Sequence, residues 1–184
     1  DNGFSGDACD ISTEVLEIKQ QSRWHLIDSV SATVMYNEPT PDNIGSTVAT
    51  VSQLSANPVE LTPDACVILY DLVDFLLDSA GELELAYDVV NVYGAIDTCS
   101  SIVTTLSSRR RLTTFSNWTS SAELVDKYSD LISSQIVEGQ NDVTYVQSLS
   151  RVVSAVRTLD GNGFAVSLPR TGEEEALDIQ KSMV

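Results

Sequence analysis

The chain has little of what usually announces a chemistry. It contains one histidine, three cysteines, two methionines and two tryptophans, and its 10 basic residues stand against 27 acidic ones, for a formal net charge of −17. Zinc sites need clustered Cys and His, and Cys9, Cys66, Cys99 and His25 show none of the usual ligand spacings. A Ser–His–Asp triad would have to use His25. That residue lies beside Trp24 in a helical stretch, with no glycine-rich elbow or oxyanion signature. The negative charge argues against nucleic acid or an anionic membrane surface as partner, because both would repel it. Aspartates interrupt every long hydrophobic stretch, so the run of about 20 apolar residues that a membrane span requires is missing. No catalytic residue, cofactor site or metal site is assigned. The chain also begins at Asp1 with neither an initiator methionine nor a signal-peptide pattern, which reads as a processed or excised piece of something longer.

What is present is a hydrophobic fraction of 42%, enough to bury a core, patterned at helical spacing. The clearest signal runs from Asn57 to Ser107 and predicts two long antiparallel helices. Thr62 can cap the first, Pro63 follows at the position where a missing N–H costs nothing, and Asp64 sets a negative charge at the positive end of the helix dipole. Cys66, Leu69, Val73, Leu76 and Ala80 then recur at three- and four-residue steps. Gly81 punctuates, and Leu85, Val89, Val92, Ile96, Cys99, Val103 and Leu106 form a second seam suited to packing at a shallow angle. Asp71, Asp74, Asp78, Glu82, Glu84, Asp88 and Asp97 lie between the seams, so the outer faces are expected to be acidic. Cys66 and Cys99 fall on facing seams, nearly level if the chain reverses around Ala80 to Leu83. This predicts a disulfide between them, with two buried free thiols as the alternative. Cys9 is then left for a partner outside this segment.

Residues 1–10 read as a polar linker, 11–139 as a helical-bundle subdomain and 140–184 as the transition into an incomplete β region. A first helix is expected from about Ser12 to Tyr36, with Val15, Ile18, Ile27, Val30 and Val34 apolar and a break in its polar middle, Lys19 to Arg23. A second opens at Thr40-Pro41-Asp42, with Ile44, Val48, Val51 and Leu54 on its face. Ser120-Ser121-Ala122-Glu123 is a capping box for a further helix carrying Val125, Tyr128, Ile132 and Ile136, with Gly139 past its end. From Asn141 to Thr158 the pattern fits a helix and also permits strands. Asp160-Gly161-Asn162-Gly163 reads as a turn rather than a calcium loop, since Pro169 would stand where an EF-hand needs an acid. Phe164 to Pro169 alternates as a strand does. An opening strand without sheet partners is expected to be weakly held. The fold class is therefore mainly α, an antiparallel helical bundle followed by the opening strands of a β region. Arg109-Arg110-Arg111 reads as a solvated connection between helices, with a protease cleavage site as the alternative; it lacks the extra upstream Arg of the strongest such sites. Asn117-Trp118-Thr119 is an N-glycosylation sequon in a polar inter-helix stretch.

The run Gln53-Leu54-Ser55-Ala56-Asn57-Pro58-Val59-Glu60-Leu61-Thr62-Pro63-Asp64-Ala65, with the leucine-rich helix after it, resembles the helical part of REJ/GAIN-type modules of polycystin-like proteins and adhesion receptors. In that family a helical subdomain precedes a β-sandwich, and Phe164 to Pro169 is similar to the Leu-Pro-like strand there. The resemblance spans roughly Thr40 to Pro169. Autoproteolytic members cut at a His-Leu-Ser/Thr tripeptide, whereas this chain has His25-Leu26-Ile27 in a helical region near the wrong end, so no self-cleavage is expected.

These readings converge on a non-enzymatic extracellular module that builds or spaces a larger cell-surface or filament-forming protein. Its expected partners are other protein domains or copies of the same protein. The alternative is a secreted helical-bundle inhibitor of a carbohydrate-active enzyme, against which stand the odd cysteine and the unfinished tail. Secreted material is expected to carry a glycan at Asn117. Mass spectrometry with and without N-glycanase reads this out, and an unmodified Asn117 would count against both the glycan and the exposure of that stretch.

Overall fold

A computed structural model describes residues 4–5, 11–85, 89, 91–107, 120–138, 140–147, 151–156, 168–170 and 174. Its helices are α1 (Thr13–Tyr36), α2 (Pro41–Ser55), α3 (Pro63–Glu82), α4 (Val92–Ser107) and α5 (Ser121–Ser134), with a 3₁₀ turn at Pro58–Glu60. Strands β1 (Phe4–Ser5) and β2 (Ile11–Ser12) pair antiparallel before α1, and β3 (Val143–Val146) pairs antiparallel with β4 (Arg151–Ser154) after α5.

Most helix starts follow one rule. Thr40, Thr62 and Ser120 each hold an extended backbone, and each side-chain oxygen accepts an N–H three residues on, from Asn43 (3.3 Å), Ala65 (3.2 Å) and Glu123 (3.2 Å). At Ser120 the box is reciprocal, because its own N–H donates to the Glu123 carboxylate at 2.6 Å. These bonds satisfy N–H groups that have no partner inside the helix. Ser12 caps α1 in the same way, accepting from Val15 N at 3.3 Å.

The core is built around α3. Ala65, Cys66, Leu69, Leu72, Val73, Leu76 and Ala80 are fully enclosed, and Tyr70 and Leu77 nearly so, which wraps far more than one stripe of the helix in protein. Helices α1, α2, α4 and α5 all lie against it. Pairing with α4 follows an antiparallel register: Cys66 meets Cys99, and one turn further along α3 the Tyr70 hydroxyl donates to Ile96 O, earlier in α4, at 3.5 Å and shares a bond of 2.9 Å with the Ser100 hydroxyl. Burial pushes the Tyr70 phenol well above its ordinary range, partly offset by that bond. Helix α5 is held to α3 by Lys127, whose ammonium donates to Asp74 (2.6 Å) and Asp78 (2.9 Å). Its other face joins a tyrosine cluster. The Tyr93 and Tyr128 rings stack with centroids 5.0 Å apart, and Tyr145 of β3 meets both edge-on at 6.3 and 5.6 Å.

That cluster seats the described part of the stretch after Asn141 against the bundle. Strands β3 and β4 partner each other in the register Val143↔Ser154 to Val146↔Arg151, and the hairpin docks on α5. The Ser133 and Ser154 hydroxyls bond at 3.0 Å and Val152 is buried. Within the stretch read as a linker, Phe4–Ser5 is a strand. The supposed break in α1 is absent, because Lys19, Gln20 and Arg23 have partners across the fold. Val15 and Ile18 face solvent, and Ile27, Val30 and Val34 take the core side. Asp97 is buried, not on the acidic outer face. The turn at Asp160 to Gly163 and most of the Phe164 to Pro169 strand lie outside the described residues.

Gly81 does not end α3. The helix runs to Glu82 and closes one step later, with Glu84 at φ 58, Leu85 N–H donating to Ala80 O (2.9 Å) and Glu84 N–H to Gly81 O (3.4 Å). This is the paired closure that usually places glycine at the left-handed position. Glu84→Gly is expected to raise stability by about 1 kcal/mol, since the strain relieved at φ > 0 exceeds the entropy glycine adds to the unfolded chain. Urea unfolding measures this, and a loss of stability would contradict the assigned cap.

Candidate functional site

Among the described residues, no three His, Cys, Asp or Glu side chains converge as a metal site would require. His25 is exposed and meets Trp24 edge-on, ring centroids 5.0 Å apart, at an open depression also bordered by Glu17, Gln21 and Asp64. No hydroxyl nucleophile is bonded to its ring among the hydrogen bonds described. Cys66 and Cys99 are brought together as predicted, as buried thiols in contact with each other. The hydrogen bond to Cys66, together with burial, holds the Cys99 thiol well above its ordinary pKa. Cys9, Arg109, Arg110, Arg111 and Asn117 lie outside the described residues.

The polar middle of α1 forms a clamp. Arg23 reaches the last turn of α2, donating to Gln53 O and Leu54 O, both at 3.4 Å, and it pairs with the Glu60 carboxylate of the 3₁₀ turn. A guanidinium at the end of a helix meets carbonyls that have no intrahelical donor and sits at the negative end of the dipole. Lys19 adds a second cation to Glu60 at 3.5 Å, and Gln20 donates to Val59 O at 2.9 Å. The Arg23 bond holds the Glu60 carboxyl below its ordinary range despite partial burial. The clamp is a structural joint between α1, α2 and the turn; its carboxylate is already occupied.

A different feature of α1 has no such use. Val15, Ile18, Ser22, Leu26, Ser29, Thr33 and Tyr36 follow three- and four-residue steps along the side opposite the core. All seven are exposed, none is charged, and Leu26 (56%), Ile18 (57%) and Tyr36 (93%) leave much of their apolar surface in water. Helix α1 is thus apolar on two faces. Beside this stripe a groove of about 250 Å³ separates α1 from α2, lined by Leu26, Val30 and Val34 with small hydroxyl residues. Those hydroxyls are turned back into their own helices. Ser29 donates to His25 O (2.7 Å), Thr33 to Ser29 O (2.8 Å), Thr47 to Asn43 O (2.7 Å) and Thr50 to Ser46 O (2.9 Å). With their protons spent locally, they present mainly carbon to the groove. Sequence reasoning grouped Val15 and Ile18 with Ile27, Val30 and Val34 as the apolar residues of this helix; their spacing from Ile27 puts them on the far side of a continuous helix, in the exposed stripe.

Arg23→Ala is expected to cost about 1–2 kcal/mol in urea unfolding at neutral pH, through lost charge-assisted bonds and an under-paired Glu60. In the native chain Glu60 binds its proton less readily folded than unfolded. Its stabilisation is therefore complete above the ordinary glutamate value of 4.5 and is lost as pH falls through the lower folded value. Arg23→Ala should flatten that acid-side loss. An unchanged pH profile would show that Glu60 is not held by Arg23. Comparison with family models, with curated proteins and with solved structures finds no match for this chain.

Proposed function

We propose that this chain is a non-enzymatic extracellular structural module of a larger cell-surface or filament-forming protein, and that it contacts a neighbouring protein domain through the outer face of α1. The observation that carries this reading is the uncharged apolar stripe from Val15 to Tyr36 on a chain of net charge −17. Exposed apolar surface gathered along one helix face marks a contact surface more often than scattered single residues do. A second copy would bring another −17 charge and be repelled at long range, so the partner that fits is a neutral or basic domain with an apolar face. The adjoining groove, floored by small residues, suits a ridge of side chains from a packed helix. No helix among the described residues is long and apolar enough to cross a membrane. The helical bundle followed by a docked β hairpin is also the order that the resemblance to REJ/GAIN-type modules implies, which supports the extracellular reading. Helix faces, not a polar pocket, carry the proposed role.

Hydroxyl-radical footprinting tests it. In the isolated chain Leu26 and Tyr36 should be oxidised readily. In the intact parent protein they should be protected several-fold, and Leu26→Glu should return Tyr36 to the unprotected rate. Equal labelling in both settings would overturn the proposal, and protection that grows with concentration of the isolated chain would replace the neighbouring domain with a second copy.

A further inference from the structure

Cys66 and Cys99 have no role in the α1 surface, yet their placement is specific. Cys66 lies in the first turn of α3 and Cys99 midway along α4; both are 0% exposed and each is the other's contact across the helix pair. Ala65 and Leu69, also fully enclosed, surround Cys66 in α3, so neither solvent nor a small reagent reaches the sulfurs while the helices are closed. We propose that this pair is a built disulfide position, closed by a disulfide oxidant such as glutathione disulfide while α3 and α4 are apart during folding, and shielded once they pack.

The chemistry balances as two exchanges. The Cys66 thiolate attacks one sulfur of the oxidant, giving a mixed disulfide and releasing one thiolate. The Cys99 thiolate then attacks the Cys66 sulfur, forming the Cys66–Cys99 bond and releasing the second. Two protons leave the protein thiols and finish on the two released thiolates, and two electrons reduce the oxidant's S–S bond. In the packed state this sequence stalls, because burial and the contact between the two groups keep the Cys99 proton in place and thiolate is the reactive form. Timing, not access in the folded protein, therefore governs the reaction. The bond would close a loop running from the first turn of α3 through the α3–α4 connection to the middle of α4, restricting the unfolded chain.

The test uses the full chain carrying Cys9→Ser, which leaves these two thiols alone. Refolding in a glutathione redox buffer should yield a monomer whose non-reducing peptide map links Cys66 to Cys99. Its Tm should lie roughly 5–15 °C above that of the reduced form. The same reduced protein, already folded and given glutathione disulfide, should form the bond at least about tenfold more slowly than during refolding. A Cys66→Ala/Cys99→Ala chain should show no redox-dependent Tm. Two alkylatable thiols after oxidative refolding, intermolecular dimers, or equal Tm in the two forms would each overturn the staple. Equally fast oxidation of the folded protein would overturn the requirement for open helices. None of these outcomes bears on the α1 footprint, so the two proposals stand or fall separately.

Discussion

The enclosure of α3 is the constraint on which the rest of the structure depends. A helix with Leu69, Leu72, Val73, Leu76 and Leu77 all out of water keeps only a narrow solvent edge along that run, at Asp71 and Asp78. At about 1.5–3 kcal/mol per buried aliphatic side chain, these five alone contribute a sum comparable to the net stability of a whole domain. Covering them takes helices on several sides. This is why Ile44, Val48 and Val51 of α2, Val92, Ile96 and Cys99 of α4 and Leu124, Tyr128 and Ile132 of α5 each form an inward stripe. The β3–β4 hairpin extends the same logic, because Tyr145 covers the outer edge of the Tyr93–Tyr128 stack.

Charge then sets where the elements can be joined. With 27 acids against 10 bases, carboxylates repel across most of the surface, and the scarce cations serve as cross-links. Arg23 and Lys19 gather on Glu60, Lys127 spans Asp74 and Asp78, and Arg151 ties β4 to Glu174 and to Pro169 O. Lys127 illustrates the balance: partial burial lowers its proton affinity, but bonds to the two aspartates outweigh this and leave it raised. Isolated surface pairs of this kind add little stability. Their value here is positional, since each links elements distant in the chain.

Helix α1 stands apart from the other helices because its two faces face different demands. One packs Ile27 into the core and lends Arg23 to the end of α2; the other displays Ile18, Leu26 and Tyr36 to water. No convergent polar group competes with that surface among the described residues, and the best-placed carboxylate, Glu60, is held by Arg23 and Lys19. The proposed structural role follows from this contrast between a saturated polar joint and an unsaturated apolar face.

The amino-acid sequence by itself determined the helical class, the capped starts at Thr40, Thr62 and Ser120, and the buried seams of α2 and α3. Caps and seams are local, needing neighbours only three or four residues away. It also brought Cys66 level with Cys99, because register along two straight helices is simple counting. Tertiary structure decided what depends on partners far along the chain. It kept α1 unbroken by giving Arg23 and Gln20 acceptors more than thirty residues on. It turned Val15 and Ile18 outward because a continuous helix can bury one face only, and Ile27 took it. It set Asp97 in the interior, and it made the stretch after Asn141 a hairpin, since a run that suits helix or strand adopts whichever the surface of α5 and the tyrosine cluster can cover.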